Sequence, residues 1–108
     1  MKMIDWKRYA LEEYSIELTT TFGNDFDIAE SFGMDAIRDT FNRAFAEWKS
    51  DYRYLTELVL ILNWKTAQHY KTNRAMAELY NELWEKADGY AVDNLTGDEL
   101  AYFYRITD

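Results

Sequence analysis

The residue types that most often carry out enzyme chemistry are scarce in this chain. Histidine occurs once, at His69, and cysteine does not occur, so disulfides, thiolate metal sites and thiol nucleophiles are excluded. None of the serines, Ser15, Ser31 and Ser50, lies in the glycine-rich elbow that presents a catalytic serine. The sequence therefore predicts a protein that is not an enzyme and has no catalytic residue.

Two kinds of carboxylate metal site have partial signatures. A di-metal site in a helical bundle needs a Glu-x-x-His motif on each of two helices, and one histidine cannot supply both. The pair Asp25 and Asp27 resembles the start of a calcium loop, but Glu30 stands where that loop needs glycine and Ala36 where it needs glutamate. The sequence predicts no metal and no cofactor, and leaves open a weak divalent site at Asp25, Asp27 and Glu30.

The carboxylates are concentrated in two regions of the chain. The formal net charge is −8, and the acidic side chains cluster in residues 11–35 and 75–108. In the second region Glu78, Glu82 and Glu85 follow helical spacing and Asp88 extends the row, which we call the acidic ridge. Neighbours in such a row lie about 6 Å apart, comparable to phosphates in nucleic acid. The ridge predicts either a surface for a partner's basic groove or a solvated face that maintains solubility.

The aromatic side chains are too numerous for a core of this size to hide entirely. Aromatics make up 18% of the chain, and four tyrosines fall off the main apolar stripes, at Tyr52, Tyr70, Tyr90 and Tyr102. Tyrosine tolerates partial burial and is favoured at interfaces. The predicted partner-binding surface therefore combines tyrosines with carboxylates, namely Glu78, Glu82, Glu85, Asp88, Asp98, Glu99, Tyr90 and Tyr102.

The elements that position these residues are predicted to be helices. Proline is absent, glycine occurs four times, and the apolar residues recur with a period of 3.6. Residues 1–108 are predicted to form one domain of the all-α class, a compact bundle of about five helices with the helix after Asp51 at its centre. Helix starts are predicted at or near Asp5, Asp25, Asp35, Asp51, Asn73 and Thr96.

Several boundaries of these helices follow from local signals. The first helix is expected to carry Leu18 inward, and Gly23 and Asn24 to form a turn after it. Gly89 is expected to end its helix or weaken the last turn. A capping box of Thr96 and Glu99 is expected to open the final helix.

The chain carries no pattern typical of secretion or of a membrane span. Charged residues interrupt the first ten positions. The longest apolar run, Leu58 to Leu62, is far shorter than the roughly 20 residues that a spanning helix needs. We expect a cytoplasmic protein with no membrane contact.

Three stretches carry a likeness to known proteins: Glu47–Leu58, Tyr80–Asp88 and Gly97–Arg105. They resemble small uncharacterised proteins of bacterial phages and conjugative elements, and the likeness covers residues 40–108. Proteins of this size, acidity and setting are often similar to inhibitors of host defence, including anti-CRISPR and antirestriction proteins that occupy a nucleic-acid groove with carboxylates. The resemblance assigns no functional residue.

The function expected from these patterns is inhibition by binding. The partner would be a protein with a basic surface, belonging to a nucleic-acid-handling defence complex of the host, and direct binding to nucleic acid is disfavoured by the net charge. The alternative is a structural or regulatory homodimer in which exposed tyrosines pair, so that the state is monomer or homodimer. A carboxylate-based metal hydrolase is the second alternative.

Overall fold

The computed structural model describes residues 3–108, and within this range the chain forms six α-helices and no strand. The helices are α1 Trp6–Tyr14, α2 Phe22–Glu30, α3 Met34–Trp48, α4 Tyr52–His69, α5 Arg74–Asn94 and α6 Gly97–Thr107. The predicted all-α class is confirmed, with one helix more than the five expected. The Cα radius of gyration is 13.2 Å, close to the value of about 13 Å for a compact chain of this length.

Helix α4 lies at the centre of the bundle, as its wide apolar arc predicted. Every residue from Leu55 to Leu62 is buried, and α2, α3, α5 and α6 all pack against this helix. The Asp51 side chain caps its first turn by accepting hydrogen bonds from the backbone N–H groups of Arg53 and Tyr54. The other helices each bury one face and expose the opposite one, so their outward faces are the candidate binding surfaces.

The chain between α1 and α2 differs from the prediction. Helix α1 ends at Tyr14, because Ser15 adopts the left-handed conformation with φ of 56°. Leu18 is buried as expected, but it lies outside the helix, in a segment without regular secondary structure. Leu18 follows Tyr14 by four residues, which is the spacing of one face of a helix. Burial at this spacing does not require a helical backbone, so the apolar pattern alone placed the end of α1 too late.

Gly23 and Asn24 lie inside α2, and the turn predicted there is wrong. The absence of a side chain at Gly23 serves packing: a Cβ at this position would lie well inside van der Waals contact with the indole ring of Trp6. Glycine therefore lets α1 approach α2 closely.

The C-terminal boundaries also differ. Helix α5 continues through Gly89 to Asn94. The Thr96 side chain makes no capping hydrogen bond, and Gly97 enters α6 with φ of 59°. This left-handed turn replaces the predicted capping box. Phe103 alone of the residues on α6 is fully buried against the core.

Six large aromatic side chains on α3 to α6 divide into two groups by burial. Phe41, Phe103 and Trp64 are buried. Phe45, Trp48 and Trp84 are half-buried and pack against the edge of the core. No helix among residues 3–108 combines the length and the apolarity that crossing a membrane requires.

Burial predicts different costs for two core truncations. Leu62 is 0% exposed, so Leu62→Ala should lower the free energy of unfolding by about 3 kcal/mol. Trp48 is half-buried, so Trp48→Ala should cost less than the usual range of about 3–5 kcal/mol for a fully buried tryptophan. Urea titration of both variants measures the difference, and an equal or larger loss for Trp48→Ala would contradict the packing described above.

Candidate functional site

The acidic ridge is only partly the continuous row that helical spacing predicted. Glu78, Glu82 and Glu85 lie on α5 and are exposed to solvent. Asp88 is half-buried and lies in a groove of about 320 Å³ whose lining includes Phe103, Tyr104 and Asp108. The exposed ridge therefore consists of the three glutamates, and Asp88 belongs to a separate environment beside α6.

The middle carboxylate of the ridge is paired with a cation. Arg38 on α3 donates to Glu82 with an Nη1 to Oε2 distance of 2.6 Å, and both side chains are largely exposed. The hydrogen bond with Arg38, together with its positive charge, lowers the pKa of Glu82. Arg38 lies outside both acidic regions of the sequence and 44 positions before Glu82. The pairing concentrates the uncompensated negative charge of the ridge at Glu78 and Glu85.

Asp88 has an electrostatic character different from that of the ridge glutamates. Burial, followed by repulsion from the carboxylate of Asp108, raises the pKa of Asp88. A half-buried carboxyl group beside a second carboxyl group is a poor surface contact for a large basic partner. Asp88 therefore differs from the three exposed glutamates of the acidic ridge, although the sequence predicted all four on one surface.

Asp98 and Tyr102 lie four residues apart on α6 and share a groove of about 450 Å³. Tyr102 packs edge-on against Tyr52 with ring centroids 5.3 Å apart, and burial, followed by the charge of Glu57, raises the pKa of Tyr102. The neighbouring Glu99 is exposed. The remaining lining of this groove consists of Glu17, Thr19, Arg53, Glu57 and Arg105, together with Tyr52.

The acidic residues of α6 do not join the ridge. Asp98 lies at the first turn of α6 and Asp108 caps its end, next to Asp88. An eleven-residue helix is about 16 Å long. Asp98 and Glu99 are therefore separated from Asp88 by nearly the length of α6.

Tyr90 packs against different residues from those that contact Tyr102. It packs edge-on against Phe45 of α3 with ring centroids 5.3 Å apart, and Lys49 lies 5.6 Å from the centre of its ring. Of the four tyrosines off the apolar stripes, only Tyr70 is largely exposed, and the guanidinium of Arg74 covers its ring at 4.7 Å. The structure thus divides the predicted tyrosine patch into separate intramolecular pairs.

A buried polar network joins residues that sequence reasoning did not bring together. The Lys65 side chain is 0% exposed, and its Nζ lies 2.6 Å from Oδ1 of Asp27 and 2.5 Å from Oε2 of Glu30. The indole N–H of Trp6 donates to the other oxygen of Asp27 at 2.8 Å. We call the set the Lys65 network; its members are Trp6, Asp27, Glu30, Lys65, His69 and Tyr80.

Glu30 is the acceptor at the centre of this network. Its Oε2 receives the hydroxyl of Tyr80 at 2.6 Å and lies 3.1 Å from Nε2 of His69. Burial raises the pKa of Glu30, but the hydrogen bonds from Lys65 and Tyr80 outweigh it, so the net pKa is lowered. Burial, followed by the hydrogen bond to Glu30, raises the pKa of Tyr80 well above the ordinary value, which keeps the phenol a donor.

The Lys65 network contains the residue types of a catalytic site. Its polar atoms already bind one another, however, as is typical of a structural network. It ties α1, α2, α4 and α5 together, and no buried side-chain nitrogen or oxygen within residues 3–108 lacks a hydrogen-bond partner. None of its members lines the grooves described above. Its geometry therefore supports a role in holding the four helices in register.

The network also bears on whether the carboxylates of α2, at Asp25, Asp27 and Glu30, form a divalent cation site. The ammonium of Lys65 occupies the space between Asp27 and Glu30. Asp25 is exposed and faces the hydroxyl of Thr21. The three carboxylates do not converge on one cation site, and within residues 3–108 no three histidine, aspartate or glutamate side chains do so.

A second buried carboxylate anchors the segment between α1 and α2. Glu57 is 5% exposed and accepts hydrogen bonds from the backbone N–H and the hydroxyl of both Thr19 and Thr20, at 2.6 to 3.1 Å. The signal in the sequence was a glutamate inside the continuous apolar arc of α4. Its partners lie 37 and 38 residues away, so helical spacing could not identify them.

Comparison of the chain with protein-family models, curated proteins and solved structures found no match. The likeness of residues 40–108 to proteins of mobile elements therefore stays a prediction.

Proposed function

We propose that the protein is a non-enzymatic inhibitor that binds a basic protein surface through the exposed carboxylates of α5. The observation that carries the proposal is the arrangement of Glu78, Glu82 and Glu85 on one exposed face. Within residues 3–108, Arg38 is the only cation that forms an ion pair with this row. The face therefore offers carboxylates to lysine and arginine side chains of a partner.

The proposed target is a nucleic-acid-handling defence complex of a host cell, and the setting is the cytoplasm. Carboxylates about 6 Å apart on a helix match the order of spacing of phosphates, so the ridge can occupy a basic groove in place of nucleic acid. A net charge of −8 accelerates encounter with a basic surface. The pair of Arg38 with Glu82 is solvent-exposed, and such pairs contribute little stability, so a partner's cation can replace Arg38.

The two alternative functions have less support from the geometry. A homodimer joined by Tyr52, Tyr90 or Tyr102 would need free rings, whereas these three pack within the monomer. Tyr70 is exposed, but the guanidinium of Arg74 covers its ring. A metal hydrolase would need converging ligands, and Asp27 and Glu30 already bind Lys65.

A pair of matched charge reversals tests the proposal. Glu82→Lys with Glu85→Lys reverses one arginine-paired and one unpaired carboxylate of the ridge. The control, Glu12→Lys with Glu13→Lys, also reverses one arginine-paired and one unpaired carboxylate, because Arg8 pairs with Glu12 on α1. It changes the net charge by the same amount. All four side chains are exposed, so both variants should fold, as circular dichroism can verify.

The measurement is binding to the partner that the wild-type protein recovers from host lysate. The ridge variant should lose at least about tenfold in affinity, the α1 variant should bind like wild type, and wild-type binding should weaken as salt rises. The partner's nucleic acid should compete with the wild-type protein. Equal binding by the two variants, or binding insensitive to salt, would show that the ridge is only a solvated face.

A further inference from the structure

A groove between α2 and α3 carries the most exposed large apolar side chain of the described chain. The two helices are joined through Gly33, whose φ of 111° gives a sharp reversal of direction, and they enclose a groove of about 540 Å³. Phe32 stands at its edge and is 80% exposed, and Ile28 beside it is 49% exposed. This groove shares no residue with the acidic ridge, so the inference stands independently of the proposed function.

The floor and the rim of this α2–α3 groove differ in chemistry. The floor consists of buried or half-buried residues that are mostly small or apolar: Phe22, Ala29, Ala36, Thr40, Ala44 and Trp48. The rim consists of exposed residues: Asp25, Ile28, Phe32, Asp39, Arg43 and Glu47. Small side chains on the floor leave space for large apolar groups, and Phe32 can cover them from the side.

The dimensions of the groove suit a helix. From Phe22 at the start of α2 to Phe32 just beyond its end, and from Ala36 to Trp48 along α3, the lining extends over about 15–18 Å at 1.5 Å per residue. This length equals about three turns of a docked helix, the span over which residues at positions i, i+3, i+4 and i+7 enter a groove.

The charge of the rim selects among the possible occupants. Three carboxylates, those of Asp25, Asp39 and Glu47, face one cation, Arg43, and no ion pair neutralises them within residues 3–108. Two copies of this rim would bring a net charge of about −4 together, which disfavours a symmetric dimer. An anionic membrane surface would repel it for the same reason.

We propose that the α2–α3 groove binds a helical segment of a partner protein that carries large apolar side chains along one face and lysine or arginine beside them. The apolar side chains fill the floor and pack against Phe32, and the basic side chains reach Asp25, Asp39 and Glu47. Phe32 is the anchor, because an exposed aromatic ring gains the most apolar contact when it is covered.

Two synthetic helical peptides of about 18 residues, or five turns, test the proposal by calorimetry. Both carry leucine at positions i, i+3, i+4 and i+7, and the remaining positions are mainly lysine in one and mainly glutamate in the other. The wild-type protein should bind the lysine peptide and not the glutamate peptide. Phe32→Ala should weaken binding at least about tenfold, as should Asp39→Lys combined with Glu47→Lys.

The controls separate this groove from general apolar exposure and from general acidity. Leu11→Ala removes an apolar side chain of α1 that is 59% exposed and should leave binding unchanged. Glu12→Lys with Glu13→Lys reverses two exposed carboxylates of α1 and should also leave binding unchanged. Equal binding by Phe32→Ala and Leu11→Ala, or equal binding of the two peptides, would overturn the proposal. Sedimentation of the wild-type protein as a dimer that Phe32→Ala dissociates would also overturn it, by assigning the groove to a second copy.

Discussion

Replacing Lys65 with alanine should lower the free energy of unfolding by about 3–5 kcal/mol, the usual cost of removing one partner of a buried ion pair. The ammonium of Lys65 is fully buried between the carboxylates of Asp27 and Glu30. Its removal leaves two negative charges in a cavity that water reaches poorly. Urea titration at neutral pH measures the loss, and Lys71→Ala, at an exposed lysine just beyond α4, is the control and should change stability by less than about 0.5 kcal/mol.

A neutral replacement of the whole cluster separates charge from packing. Lys65→Met combined with Asp27→Asn and Glu30→Gln should recover most of the stability that Lys65→Ala loses, because replacing a buried ion pair by neutral groups of similar volume is often close to neutral. If Lys65→Ala were no more costly than Lys71→Ala, the network would not hold the helices together.

The contribution of Glu30 to the free energy of unfolding should depend on pH with opposite sign in the wild type and in Lys65→Ala. In the wild type the pKa of Glu30 is lowered by folding, so its contribution to stability is present above the pKa of glutamate in the unfolded chain and is lost as the pH falls through the lower folded pKa. In Lys65→Ala, burial without the ammonium favours protonated Glu30. Acidification should therefore reduce the difference in unfolding free energy between the two proteins.

Replacing Glu57 with alanine should lower the free energy of unfolding by roughly 3–5 kcal/mol. The carboxylate of Glu57 accepts hydrogen bonds from two backbone N–H groups and two hydroxyls of Thr19 and Thr20. Hydrogen bonds to a charged group contribute about 1.5–3 kcal/mol each, and loss of the two to backbone N–H groups already accounts for this range. Denaturant titration provides the value.

Two further variants test the cause of this loss. Glu57→Gln keeps one acceptor oxygen and the side-chain volume, so its cost should fall between those of wild type and Glu57→Ala. Glu17→Ala removes an exposed carboxylate from the same N-terminal segment and should be nearly neutral. Amide hydrogen exchange at Thr19 and Thr20 should accelerate in Glu57→Ala, and unchanged exchange there would contradict an anchoring role.

The sequence was sufficient to predict the helices whose signals are local. The Asp51 cap acts on residues two and three positions later, and Asn73 caps α5 through Met76 in the same way. The same local patterns failed at Leu18, Gly23 and Thr96. Leu18 and Gly23 are buried against distant parts of the chain, as Trp6 shows by packing on Gly23. Thr96 is exposed, and there the left-handed backbone of Gly97 replaces the cap.

Helical periodicity also placed Glu78, Glu82 and Glu85 on one exposed face of α5, because the spacing of residues along one helix depends only on its pitch. The neighbour of that face depends on how α3 packs, and so the pairing of Glu82 with Arg38, 44 positions away, was decided by tertiary structure. Tertiary structure likewise decided the pairing of Lys65 with Asp27, 38 positions earlier. It also decided the shape of the α2–α3 groove beside Phe32. A period of 3.6 residues specifies which side of a helix a residue occupies, whereas the packing of one helix on another decides which atoms it meets there.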